Sequence, residues 1–263
     1  MLLLAGGTPP AVGTPPKGPT YGSPSGAAHA FPPDPTPGGP QRPYEPDVPG
    51  PRNIDALSAT VTADGATERG VRVAFDRTSR ADTGGAPAGA RRFVFLFDDS
   101  IRFRPESFPV CARSVIEENG VAACPAGSRA GRGTSHLNPE GTAEVLAFNT
   151  RYGNGARGAL VTIPATGTIL ELTWERVTPV YRQSGYLWAL DEILPPTQVP
   201  PQERAGTRRF ELEWGATRHT ADGTVSFAES SAGAGERLRI GLWSWFVTGQ
   251  VALPWTTAVR QDP

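Results

Sequence analysis

Phe93-Val94-Phe95-Leu96-Phe97 is the stretch on which the reading of this chain turns. In an extended strand successive side chains point to opposite faces, so the three phenylalanines share one face and Val94 and Leu96 the other. A strand apolar on both faces must be covered on both. Upstream, Val71, Val73 and Phe75 alternate with Arg72 and Ala74, the pattern of a strand buried on one face. Similar period-two runs occur at 144–148, 159–163, 169–174, 187–190, 210–214, 224–227, 238–247 and 251–259, most of them separated by Gly, Pro, Asn or Asp. Ten to eleven short strands with hardly any helical period predict an all-β fold. The expected form is a β-sandwich, Ig-like or jelly-roll-like, in a single domain over residues 53–263. One short helix is expected at Arg113–Asn119, ended by Gly120.

Two of the strands resemble each other at an offset of forty residues: Ile169-Leu-Glu-Leu-Thr-Trp174 and Arg209-Phe-Glu-Leu-Glu-Trp214. The simplest account is two strands in similar sheet environments. Leu194-Pro-Pro-Thr-Gln-Val-Pro-Pro-Gln202 is expected to be a long surface loop, because proline donates no ladder hydrogen bond.

Before residue 53 the composition changes. Residues 1–52 hold 15 of the 28 prolines and 9 of the 31 glycines, with few large apolar side chains to offset the entropy of ordering a backbone. This tract reads as a disordered, semi-stiff Pro/Gly-rich tether with polyproline II segments. Met1-Leu-Leu-Leu-Ala-Gly-Gly7 reads as the remnant of a signal peptide, with Met1 a late start and the signal beginning upstream. The expected compartment is secreted or cell-surface. No other stretch approaches the roughly 18 apolar residues of a membrane helix, so no integral membrane span is expected.

Charge narrows the partners. The net charge is −1, which offers no electrostatic footprint for nucleic acid. Lys17 is the only lysine, so a Schiff-base or general-base lysine in the folded region is excluded. Cys111 and Cys124 lie thirteen positions apart. In an exported chain they form a disulfide closing a short loop; two buried thiols in a cytosolic chain is the alternative.

Most candidate chemistry reads as structure. Gly153-Asn-Gly-Ala-Arg-Gly158 matches the dinucleotide fingerprint in spelling only, since a strand follows it, and Asn154-Gly155 is a hairpin-turn signal. Only His29, His136 and His219 exist, and no Gly-x-Ser-x-Gly elbow accompanies them. No zinc spacing or acidic calcium loop is present, and Asp98, Asp99 and Asp222 read as turn residues, so neither metal nor cofactor is expected. Glu171, Glu211 and Glu213 alternate with core residues; they form a solvated carboxylate row or the pair of an extracellular hydrolase.

Two arginine-bearing segments are the candidate binding sites. In Arg237-Leu-Arg-Ile-Gly-Leu-Trp-Ser-Trp-Phe-Val247, Arg237, Arg239, Trp243 and Trp245 share a face. The two indoles there are either a flat platform for carbohydrate or cell-wall polysaccharide, or rings packed under a loop. Arg129 and Arg132 stand beside Gly131 and Gly133, as an anion-binding nest or as a bulge at a strand start.

Around that second segment, Cys124-Pro-Ala-Gly-Ser-Arg-Ala-Gly-Arg-Gly-Thr134 with Cys111 upstream and Ala147-Phe148-Asn149 downstream resembles a group of uncharacterised secreted actinobacterial proteins. The resemblance covers roughly residues 93–214. It implies export, a Cys111–Cys124 disulfide and a β-rich fold, and it implies no activity. The expectation is a non-catalytic cell-surface or extracellular structural or binding protein, its partner a cell-wall polysaccharide or another surface protein. The alternatives are a carbohydrate-binding module using Trp243 and Trp245, an extracellular hydrolase, and assembly into a larger surface or viral structure.

Overall fold

The computed structural model describes residues 32–41, 43–136, 141–193, 199–204 and 206–262. The period-two runs are strands: β1 (Asn53–Ala63), β2 (Val71–Ala81), β3 (Ala90–Asp98) and β4 (Ile101–Phe103) precede the helix α1 (Arg113–Asn119). Then come β5 (Arg129–His136), β6 (Thr142–Arg151), β7 (Arg157–Ile163) and β8 (Thr168–Arg176), a one-turn helix α2 (Pro179–Gln183), and β9 (Tyr186–Ile193). The chain ends with β10 (Arg209–Trp214), β11 (Thr217–Thr220), β12 (Gly223–Ser226), β13 (Ala228–Ser230), β14 (Arg237–Phe246), β15 (Val251–Ala252) and β16 (Trp255–Gln261).

The sheet order β14-β16-β1-β2-β10-β5-β6-β7-β8-β9-β3 returns to its start, because β3 also pairs with β14. The fold is a closed barrel of eleven strands, and the expectation of a β-sandwich is corrected. An inward-facing row alternating with an outward-facing one is common to both architectures. What separates them is the β3–β14 pairing, Ile240 opposite Phe97 and Leu242 opposite Phe95, between segments some 145 residues apart. Alternation carries no information about that pairing. All ladders are antiparallel except β1–β16, where Val61 pairs with Arg260 and Thr62 with Gln261.

Side chains fill the lumen. At one end Phe97, Phe103, Phe108, Trp174, Trp214 and Phe227 form a continuous aromatic cluster, Phe103 stacked on Trp174 at 4.2 Å and Trp174 edge-on to Trp214 at 6.0 Å. The two look-alike strands β8 and β10 thus deliver their tryptophans to the same cluster. Aliphatic side chains from β1, β2, β6, β7 and β8 occupy the middle. Toward the other end the lumen turns polar. Arg77 pairs with Asp55 through its Nε (2.9 Å) and a second nitrogen (3.2 Å), and Ser79 Oγ donates to the same carboxylate. Glu192 faces this layer beside Phe93 and Leu172.

The outer face of β3 is covered as its sequence requires. Val94 and Leu96 pack with Val177, Tyr181, Tyr186, Ala189 and Trp243. Residues 32–41 and 43–52 cross this region, held to the barrel by hydrogen bonds rather than standing off as a tether. Arg92 donates to Asp34 (2.7 Å), to the Thr36 carbonyl and to Asp191, and Thr36 Oγ1 donates to Asp191. Its neighbour Arg91, fully buried, donates to Glu45, Asp47 and the carbonyls of Pro46 and Val247. Carboxylates spaced among the prolines fasten the strap to two arginines of one strand. The signal remnant, His29 and the rest of residues 1–31 lie outside the described residues, as do residues 194–198 of the Pro-rich loop.

Candidate functional site

The disulfide loop is built first. Cys111 and Cys124 are bonded, with Cα atoms 5.2 Å apart. The loop between them holds α1, which Gly120 ends at φ 77°. Ile116 of α1 packs with Cys111, Leu146, Phe148, Leu160 and Ile169 against the outer wall of β6, β7 and β8. Asn149, fully buried, donates from its amide to the carbonyls of Pro105, Phe108 and Pro109, and its own carbonyl accepts from Cys111 N. Phe148 and Asn149 therefore anchor the loop from opposite faces of β6.

Beside this loop the wall opens into a groove of about 610 Å³. Arg129 and Arg132 of β5 line it together with Arg72 of β2, Gly215 and Glu213. A bulge between Arg129 and Gly131 lets both arginines face outward while Ala130 is buried. Gly133 is required by close approach: a Cβ there would lie 1.8 Å from the Glu211 carbonyl oxygen on β10. The residues read as a nest thus belong to a groove, and Arg72 is the member the sequence did not reveal. It stands 57 positions before Arg129, and only the β2–β10–β5 order brings the two together.

The carboxylate row continues along the same wall. Asp76, Glu144, Glu211 and Glu213 line a shallow depression of about 430 Å³. Arg209 bridges Asp76 (2.7 Å) and Glu211 (2.9 Å), and His136 Nε2 lies 3.1 Å from Glu211. Glu171 is separate from them, next to Arg113 of α1 at 3.3 Å. His219 sits on the β11–β12 hairpin with Nδ1 2.9 Å from Thr224 Oγ1, away from the other histidine's partners.

Of the two readings of the tryptophan face, a platform or rings packed under a covering segment, the structure has the second. Trp243 is only 5% exposed, and its Nε1 donates to the Pro32 carbonyl of the strap. Trp245 is partly buried, with Arg91 over its ring. The face is shared as expected, but the strap covers it. Arg239 lies over Trp255 at 4.4 Å and donates to the Ser184 carbonyl, while Arg237 is exposed at the start of β14. The dinucleotide-like segment is a hairpin turn, Gly155 having φ 86° and Tyr152 N bonding the Ala156 carbonyl.

Burial and hydrogen bonding account for the altered ionisation. Burial pushes Glu192 up to about 8; Arg77 opposes this and Asp191 adds to it. Burial also raises Tyr152 and Tyr181, and Tyr186 to about 12. Burial works against the charge of Arg92, but its hydrogen bonds and proximity to Asp191 and Asp34 outweigh that and raise it. Among the described residues no group of three or more His, Cys, Asp or Glu is placed to hold a metal ion, and no helix is long and apolar enough to cross a membrane. No family model, curated protein or solved structure matches this chain.

Proposed function

We propose that this chain is an exported, non-catalytic binding or structural protein of the cell surface or extracellular space, and that its barrel presents ligands with an outer wall. The filled lumen carries the reading. Eleven strands enclose enough space for a ligand only when the interior is left open, and here aromatic and aliphatic side chains occupy it. Recognition is thereby left to the outside. The disulfide supports an oxidising compartment, and the resemblance to secreted actinobacterial proteins points the same way. The partner is a cell-wall polysaccharide or another surface protein.

A hydrolase is the second reading, favoured by the four carboxylates lining one depression. Against it, Asp76 and Glu211 are already engaged by Arg209, at 2.7 and 2.9 Å, rather than turned toward an open cleft.

The test uses the full-length oxidised chain on insoluble cell-wall polysaccharide. Both the retained fraction and the release of reducing ends are measured. Retention without new reducing ends is the expected result. Release of reducing ends overturns the non-catalytic reading. Absence of retention removes polysaccharide as the partner and leaves a surface protein. Recovery of the chain from its natural host only in the cytoplasm, with Cys111 and Cys124 reduced, overturns export.

A further inference from the structure

Several arginines of the barrel are engaged: Arg77 with Asp55, Arg91 and Arg92 with the strap, Arg104 with Glu229, Arg209 with Asp76. Arg72, Arg129 and Arg132 differ. All three are exposed, none has a hydrogen bond or ion pair among the described residues, and all line the one groove beside the disulfide loop. Arg72 points outward from β2, and β10 separates it from the arginines of β5. Two strand spacings put their backbones about 10 Å apart, a gap that long guanidinium side chains bridge from both sides.

The groove's shape is fixed by backbone. Gly215, whose N donates to the Ala130 carbonyl (3.0 Å), gives a floor without a side chain. The stem of Arg72 lies across it: a Cβ on Gly215 would meet Arg72 Cγ at 2.7 Å. The facing wall is the turn 125–128, closed by Ser128 N and Oγ on the Pro125 carbonyl and tied at Cys124 by the disulfide. Glu213 is the one carboxylate among the groove's lining residues. Among the groove's lining residues three guanidinium groups stand against one carboxylate, Arg132 and Glu213 being shared with the neighbouring depression that Asp76, Glu144 and Glu211 line.

Planar guanidinium forks match carboxylate and phosphate oxygens in pairs. The groove has no exposed aromatic ring on which an uncharged sugar would stack. We infer that Arg72, Arg129 and Arg132 form a binding site for an oligoanion carrying two or more phosphate or carboxylate groups. This deepens the reading that ligands are taken on the outer wall, by naming their chemistry.

The test is calorimetric titration of the full-length oxidised chain with tripolyphosphate and with citrate, and with inorganic phosphate as the single-anion control. Measurements are made at low and at physiological ionic strength. One or both multivalent probes bind, inorganic phosphate binds at least tenfold more weakly, and affinity falls as salt rises. The stronger probe tells phosphate from carboxylate as the preferred group. The double variant Arg129→Ala/Arg132→Ala loses about ten- to a hundredfold in affinity, the range expected for charge-assisted hydrogen bonds. Glu213→Gln tightens binding, and Arg237→Ala, on another face, leaves it unchanged. Circular dichroism checks that each variant folds; if the double variant does not, Arg72→Ala and Glu213→Gln decide.

No binding of either multivalent probe at low salt overturns the inference. So does an unchanged affinity in the double variant, or an equal loss in Arg237→Ala. Probe binding without wall retention sinks the polysaccharide partner and spares the groove. Wall retention without probe binding does the reverse.

Discussion

Glu192 offers the sharpest check on the interior. It is 3% exposed, sits opposite Phe93 and Leu172 in the lumen, and has no hydrogen bond or ion pair among the described residues. The nearby guanidinium of Arg77 is already held by Asp55 and Thr207. Burial therefore dominates and moves the carboxyl from 4.5 to about 8. The folded protein keeps Glu192 protonated at neutral pH, whereas the unfolded chain ionises it.

The sign follows from proton counting. Between about 4.5 and about 8 the unfolded state binds fewer protons than the folded one, so this group makes stability fall as pH rises through that window. Below it both states are protonated and the penalty vanishes; above it the penalty is constant. Each pH unit inside the window is worth about 1.4 kcal/mol. At pH 5 the loss is under about 1 kcal/mol, and at pH 7 it reaches about 3 kcal/mol. Glu192→Gln removes the ionisation and keeps the shape. The variant should match wild type at pH 4 and exceed it by about 3 kcal/mol at pH 7. Urea unfolding of both proteins across this range, by fluorescence, reads the difference directly. A gap that does not grow with pH refutes the reasoning and means that Arg77 holds Glu192 ionised.

Three further outcomes test other parts of the molecule. Replacing both cysteines, Cys111→Ser/Cys124→Ser, should lower unfolding stability by about 3 kcal/mol, the loop-closure value for a loop of this size, in denaturant titration. Asp34→Asn/Thr36→Ala removes two groups that bind Arg92 and Asp191; it should cost about 1–3 kcal/mol and speed proteolytic removal of the strap while the barrel stays intact. Hydrogen exchange should find β1 amides that face β16 less protected than those that face β2. β1 pairs with β2 along all eleven of its residues but with β16 through only two. Uniform protection along β1 would show that the seam is closed by contacts other than the ladder.

Much of the wall was legible in the sequence. The alternation at 71–75 and 93–97 told which faces are buried, and Val94 and Leu96 announced that something covers β3 from outside. The Asn154-Gly155 turn and the helix ended by Gly120 followed from local backbone chemistry, which is a matter of a few residues. What covers β3 was not legible. Asp34, Glu45 and Asp47 look like solvated charges in a proline tract until Arg91 and Arg92 stand opposite them. For Trp243 the packed alternative of the sequence holds, but the segment that covers it, Pro32 onward, is not legible from alternation. The third arginine of the groove was hidden for the same reason as barrel closure, because both depend on pairings between distant strands.

The location of the groove relative to the barrel's strong and weak parts bears on its use. A binding site needs side chains held by a frame that does not yield. β1–β2, β2–β10, β10–β5 and β5–β6 are paired through eleven, six, six and seven residue pairs, and this is the sector that carries Arg72, Arg129 and Arg132. The disulfide ties down the adjoining turn. The β1–β16 seam, which has two ladder pairs, involves strands that contribute no residue to the groove. An oligoanion at the three arginines would bridge β2 and β5 across β10, adding cross-links where the wall is already continuous. Binding there should raise thermal stability without altering exchange at the seam, whereas a ligand that worked by closing the barrel would protect the seam first.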